Sequence, residues 1–138
     1  MVVGYAMDDN YKTPLIVEAL TRAANTTTLV PDAIFHSDRG SNYCSREFAA
    51  AIAEVGMRQS VGRTGICYDN AMAESFFAAL KNERVHRTAY PTRAHAHARA
   101  DITRYIEFWY NRNRLHSGLD YKSPQEVLNE WTQHQQAA

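Results

Sequence analysis

Apolar and polar positions fall into short blocks that read as an α/β chain. Val2 to Met7 is apolar and β-prone, with Gly4 inside it, and predicts a strand already under way at the second residue. Thr13-Pro14 joins a capping hydroxyl to a proline at the first helical position. It predicts a helix to about Asn25 whose buried stripe is Leu15, Ala19, Leu20 and Ala23. Pro31 interrupts, Ala33 to His36 reads as a short buried strand ending at Ser37-Asp38, and Arg39-Gly40-Ser41-Asn42 is a turn. Ser45 caps a helix with Phe48, Ile52 and Val55 at helical spacing, closed by Gly56 in the left-handed position. Met57 to Val61 is a weak strand, and a loop bearing Gly62 and Gly65 leads to Asp69-Asn70, which caps a helix from Ala71 to about Val85. A long helix from Thr92 to about Asn111 is expected to bury Ala98, Ile102, Tyr105 and Trp109. Ser123-Pro124-Gln125-Glu126 is a capping box that opens a last short helix. The order β-α-β-α-β-α-α implies helices packed on a sheet. A lone first strand cannot build that sheet, so either the later strands suffice or the partners of residues 2–7 are absent.

Composition changes this picture little. With 138 residues, 45% apolar and 22% charged, one globular domain is the expectation. No stretch approaches the roughly eighteen apolar residues of a membrane span. The first ten residues lack the basic and apolar regions of a signal peptide. Cys44 and Cys67 have neither the density of a disulfide framework nor the spacing of a zinc site, which makes a reducing cytoplasm the expected compartment. The zero net charge is unevenly spread: residues 1–80 carry six Lys/Arg and nine Asp/Glu, residues 81–116 carry eight and three, and residues 117–138 one and three. The basic block could follow a phosphate backbone or simply be a solvated helix face.

Two carboxylates stand out by position. Asp38 follows a buried strand and precedes a glycine turn, and in an open α/β sheet that position faces the crevice where ligands bind. Glu74 falls in the first turn of a helix, where the dipole favours an acid with or without a function. Asn70, Glu74 and Lys81 share one face of that helix, opposite Ala73, Phe76, Phe77 and Leu80. Taken alone, each acid is more often a cap or a surface residue than a ligand. As a pair they offer hard oxygen ligands suited to Mg²⁺ or Mn²⁺.

The surrounding residues carry a resemblance. His36-Ser37-Asp38-Arg39-Gly40-Ser41-Asn42-Tyr43 is similar to the second-aspartate motif of bacterial insertion-sequence transposases of the DDE type. Gly65-Ile66-Cys67-Tyr68-Asp69-Asn70-Ala71-Met72-Ala73-Glu74-Ser75-Phe76-Phe77 resembles their glutamate motif. Thirty-five residues separate Asp38 from Glu74, the interval of the D,D-35-E group that includes retroviral integrases. Lys81 matches the basic position seven beyond the glutamate, and Phe108 to Ser117 resembles the segment written Y-N-x-x-R-x-H-S, followed by Tyr121 and Ser123-Pro124. The resemblance runs in order along nearly the whole chain.

That resemblance implies a ribonuclease-H-like fold, a mixed sheet flanked by helices. Residues 2–7 would be its third strand, so the first two strands and the first catalytic aspartate are expected to be missing from these residues. Asp8 and Asp9 follow the wrong strand and are not assigned that role. The place of Met1 within the family pattern suggests a disrupted gene or a fragment. Residues 1–116 would be the C-terminal portion of an integrase catalytic core and residues 117–138 a tail with a short helix. The implied chemistry is two-metal phosphoryl transfer on DNA, with Asp38 and Glu74 as metal ligands and two Mg²⁺ or Mn²⁺ ions in a complete enzyme. Lys81, Arg84, Asn70, Asn42, Arg112 and Arg114 would contact DNA, namely transposon ends and target. A bacterial, nucleoid-associated location follows. With two of three carboxylates the chain is expected to be inactive alone. A DNA-binding or dimerising remnant that pairs with full-length transposase and inhibits transposition, or a ribonuclease-H-like nuclease, are the alternatives.

Other residues are read more plainly. His95 and His97 do not share a helix face, so metal binding is not assigned to them. Cys67 reads as a small buried residue rather than a nucleophile, and His36 as a strand-end core histidine whose closeness to Asp38 allows it to tune the site. Tyr105, Trp109 and Tyr110 read as core rather than as a base-stacking platform, and His116 joins Arg112 and Arg114 as a candidate for phosphate contact.

Overall fold

The computed structural model describes residues 1–62, 71–90 and 95–136. They fall into two units, residues 3–76 and residues 1–2 with 77–138.

In the first unit, β1 (Ile34–Ser37) pairs in parallel with β2 (Arg58–Val61), Ile34 opposite Arg58 and Ser37 opposite Val61. Parallel neighbours need a crossover, and α2 (Arg46–Glu54) supplies it. α1 (Thr13–Thr26) and α2 close the core through Ile16, Leu20, Phe48 and Ile52. Phe48 is fully buried and meets Phe35 and Tyr43 edge-on, with ring centroids 5.2 and 5.6 Å away. The Phe48 amide donates to the Ser45 hydroxyl at 3.1 Å, and Gly56 ends the segment at φ +73°, as the sequence predicts. On α1 the buried residues are Ile16 and Leu20, one position off the expected stripe at Leu15. Lys12 holds the N-cap position without a side-chain bond, and the Thr13 hydroxyl donates to Asn42 Oδ1 instead.

Residues 2–7 are not a strand, which corrects the expectation from their β-prone composition. Their backbone groups find side chains rather than a ladder. The Thr26 hydroxyl donates to the Val3 carbonyl at 2.6 Å and Arg22 to that of Tyr5 at 3.3 Å. Gly4 permits this, since a β-carbon there would lie 2.6 Å from both the nitrogen and the β-carbon of Ala23 on α1.

α3 (Ala71–Glu83) starts in the first unit and ends in the second. Its buried residues are Ala79 and Leu80; Ala73 and Phe77, expected on the apolar face, are exposed. Burial thus belongs to the half of the helix that lies within the second unit. There α4 (His95–Arg104) runs into wider π-type turns over Tyr105–Tyr110, where the Asn111 amide donates to the Ile106 carbonyl at 3.0 Å. The wider turns rotate the inward face, so Tyr105, Ile106 and Tyr110 are buried and Trp109 is 51% exposed. The uninterrupted helix expected to Asn111, with Trp109 in the core, is corrected accordingly. Buried Asn111 grips the Val2 backbone both ways, accepting from its amide at 2.9 Å and donating to its carbonyl at 2.8 Å. α5 (Pro124–Gln136) opens with the predicted capping box: the Ser123 amide donates to Glu126 Oε2 at 2.7 Å and the Glu126 amide to Ser123 Oγ at 3.3 Å. No described helix is long and apolar enough to cross a membrane.

Candidate functional site

The first candidate residue sits where β1 stops. Asp38 follows Ser37 directly, and its Oδ1 accepts from the Gly40 amide at 2.8 Å, a turn that fixes the carboxylate's orientation. A β-carbon on residue 40 would lie 2.9 Å from that oxygen, so glycine is what lets the backbone come so close. The turn is pinned to the end of β2: the Gly62 amide donates to the Ser37 carbonyl at 2.9 Å, and Arg39 Nε to the Gly62 carbonyl at 3.0 Å. Asn42 ties the same turn to the start of α1, donating from Nδ2 to the Tyr11 carbonyl at 3.3 Å. Its amide group therefore does structural work at this end of the sheet. Burial pushes the Tyr43 hydroxyl up to about 12, with added contributions from its hydrogen bond to Tyr11 and from the charges of Tyr11 and Asp38. His36, expected in the core, is exposed and faces Ser60 Oγ across the strands, 3.0 Å from Nδ1.

Glu74 is exposed in the first turn of α3, within the same unit as Asp38. Lys81 is exposed two turns further along the helix. Asn70 and Cys67 lie outside the described residues. Among the described residues, no three of His, Cys, Asp and Glu cluster in a way that could hold a metal ion. Asp38 and Glu74 suit Mg²⁺ or Mn²⁺ in donor type, as hard anionic oxygens, and fall short of a full ligand set in number.

The remaining basic candidates belong to the second unit, and two are already engaged. Arg84 meets Asp101 through both Nε and Nη2, and the Tyr90 hydroxyl donates to the same carboxylate. The hydrogen bond from Arg84 lowers the Asp101 pKa, against a smaller upward push from burial. Arg114 Nε donates to Glu83 Oε1 at 2.8 Å. Glu83 also accepts from the Tyr105 hydroxyl at 2.7 Å and from the Trp109 indole at 3.3 Å. Arg112 is exposed, with its guanidinium 5.4 Å from the Phe108 ring centre. Burial, then the Arg114 charge, lowers the His116 pKa, so its ring is a neutral partner in this unit and adds no cation near neutrality. Nothing in the sequence marks Glu83 and Asp101 as partners of these arginines. Their partners lie 31 and 17 positions away, beyond any local spacing rule.

Residues 55–124 match the integrase core domain family, and residues 1–67 match an integrase core domain family as well. The chain belongs to the integrase core family. It is 39% identical over 125 residues to the transposase for insertion sequence element IS904 of Lactococcus lactis, covering 91% of this chain and 49% of that protein. Against a 31 kDa protein of insertion element IS600 from Shigella sonnei it is 38% identical over 137 residues, 99% of this chain and 49% of the other. Against the transposase InsF for IS3 of Escherichia coli it is 37% identical over 128 residues, 93% and 44%. This integrase core chain therefore spans about half the length of the curated relatives it matches.

Proposed function

We propose that this integrase core chain serves DNA transposition, as part of a transposase that cuts and joins DNA strands by phosphoryl transfer. The observation that carries the proposal is the family match along residues 1–124, within which 35 residues separate Asp38 from Glu74. On this reading the fold is ribonuclease-H-like, residues 1–116 belong to the catalytic core, and residues 117–138 form a tail built on α5. Asp38, aimed by the Gly40 amide, and Glu74, in the first turn of α3, would hold Mg²⁺ or Mn²⁺. Such divalent ions, when bound, supply Lewis-acid activation of the attacking and leaving oxygens. Lys81 and Arg112 would meet DNA phosphates with their exposed cations. Arg84 and Arg114 would do so only through donors that Asp101 and Glu83 leave over, and Asn70 and Asn42 complete the proposed contacts. Asp38 and Glu74 are two carboxylates where the resemblance calls for three, so strand cleavage by these 138 residues alone is expected to be far below that of a set of three.

The test is to fuse this chain to the portion of the IS904 transposase that it does not cover and to assay cleavage of transposon-end DNA in Mn²⁺. The fusion should cut, and Asp38→Asn and Glu74→Gln should each abolish cutting while DNA binding persists. Cutting that survives both substitutions overturns the assignment. Binding without cutting by an intact fusion favours the non-catalytic, dimerising reading instead.

A further inference from the structure

The second unit holds an open cleft of about 640 Å³ whose lining includes Arg84, Arg87, Arg104, Phe108 and Trp109. That size falls within the roughly 300–1,000 Å³ range of small-ligand sites. Its lining combines two features that bear on a ligand. Phe108 and Trp109 are 58% and 51% exposed, adjacent in sequence, and turned outward by the π-type turns that bury Tyr105, Ile106 and Tyr110. Such turns are an uncommon departure from helix geometry and recur at functional positions. The Trp109 indole is held by its hydrogen bond to Glu83, so the large aromatic surface is oriented before any ligand arrives. The second feature is charge. Arg84 is matched by Asp101, but among the described residues neither Arg87 nor Arg104 forms an ion pair. The cleft therefore offers exposed aromatic surface together with two guanidinium groups not bound to a carboxylate.

We infer that this cleft receives an unpaired stretch of DNA, with a base stacked on Trp109 and flanking phosphates on Arg87 and Arg104. Stacking on an aromatic ring needs a base whose face is not already covered, which a paired duplex does not offer. The two arginines meet the negative backbone that accompanies every such base. Phe108, with Arg112 over its ring, extends the same surface. The inference rests on the reading that the chain binds DNA and adds which strand state it recognises.

Two tryptophans, Trp109 and Trp131, account for the chain's indole fluorescence, so Trp131→Phe leaves Trp109 as the sole reporter. Titration of that variant with a short oligothymidylate should quench the emission, and duplex DNA of equal length should bind more weakly. Anisotropy with labelled oligothymidylate should show Trp109→Ala binding roughly tenfold more weakly, the loss expected for one stacked base, with Trp109→Phe close to wild type. Arg87→Gln and Arg104→Gln should each lower the salt slope of single-strand binding by about 0.7. Circular dichroism confirms that each variant is folded, and the phenylalanine variant separates loss of stacking from loss of structure. If wild type binds DNA but Trp109→Ala binds equally well, or duplex binds more tightly, the cleft assignment is overturned and DNA binding itself stands. If wild type binds neither form, the DNA-binding reading fails and this one with it.

Discussion

Glu83 is the residue whose loss should cost the second unit most. Its carboxylate gathers the Tyr105 hydroxyl, the Arg114 guanidinium and the Trp109 indole at 2.7, 2.8 and 3.3 Å. Replacing it with alanine leaves Arg114 without its carboxylate and the buried Tyr105 hydroxyl without its acceptor. A hydrogen bond to a charged group contributes about 1.5–3 kcal/mol. The Arg114 and Glu83 side chains are 28% and 32% exposed, so solvent screening pulls the estimate toward the lower end. A loss of about 2 kcal/mol is expected, which for a chain of this size lowers Tm by about 8 °C. Glu83→Gln keeps one acceptor oxygen and removes the charge, so it should cost about half as much.

The pH dependence gives a sharper check. Burial pushes the Glu83 carboxyl up, but hydrogen bonds from Tyr105, Arg114 and Trp109 and the Arg114 charge together outweigh it, and the pKa ends below the usual glutamate value. A group whose native pKa is depressed adds stability that is present above its unfolded value, about 4.3, and is lost as pH falls through the native value. The Tm difference between wild type and Glu83→Gln should therefore be full at neutral pH and shrink in acid, below about pH 4.3. Melts followed by circular dichroism across that range measure it. Equal Tm values at neutral pH, or a gap that persists unchanged into strong acid, would refute the account of Glu83 as the charged centre of this network.

Gly4→Ala should destabilise by about 1–3 kcal/mol, because its β-carbon must displace the α1 backbone at Ala23; a denaturant midpoint equal to wild type would show that residues 2–7 do not pack there. Ser123→Ala should cost about 1 kcal/mol through the lost cap of α5, read as a lower denaturation midpoint, with Ser123→Thr restoring much of it. Lys81→Ala should reduce the salt slope of duplex DNA binding by about 0.9 if its exposed ammonium meets a phosphate, and an unchanged slope would leave it a surface lysine.

Local chemistry was legible in the sequence, and long-range satisfaction of polar groups was not. Ser45, Gly56 and the Ser123–Glu126 box each act on neighbours within a few positions, and each stands where the sequence puts it. The two short strands at Ile34–Ser37 and Arg58–Val61 also follow from composition and flanking turns, but the first is not the buried strand expected, since Ile34 and His36 are exposed. Val2 to Met7 misled because β propensity describes a residue's fit to a pleated surface and names no partner. Here the partners are the side chains of Thr26 and Arg22 for the carbonyls of Val3 and Tyr5, and no ladder forms. In the second unit the period of 3.6 that the apolar spacing predicts does not hold over Tyr105–Tyr110, where the chain makes wider turns. That single change of period moved Trp109 out of the expected core and Ile106 into it.

The charge pattern shows the same limit from another side. Counting along residues 81–116 gives eight cations and three acids, which says only that the block is basic. The fold decides which cations remain available. Two of those acids, Glu83 and Asp101, take Arg114 and Arg84, and the aromatic neighbours Tyr105, Trp109 and Tyr90 converge on the same two carboxylates. Those arginines thereby become part of the scaffold, and their substitution should lower stability more than DNA affinity. Lys81, Arg87, Arg104 and Arg112 form no ion pair among the described residues, so the electrostatic reach of the block passes to them. Arg87 and Arg104 line the cleft beside Trp109, whereas Arg84, although it lines the same cleft, is held by Asp101. Loss of DNA binding on Arg84→Gln greater than on Arg87→Gln or Arg104→Gln, in variants of equal stability, would reverse this division of labour.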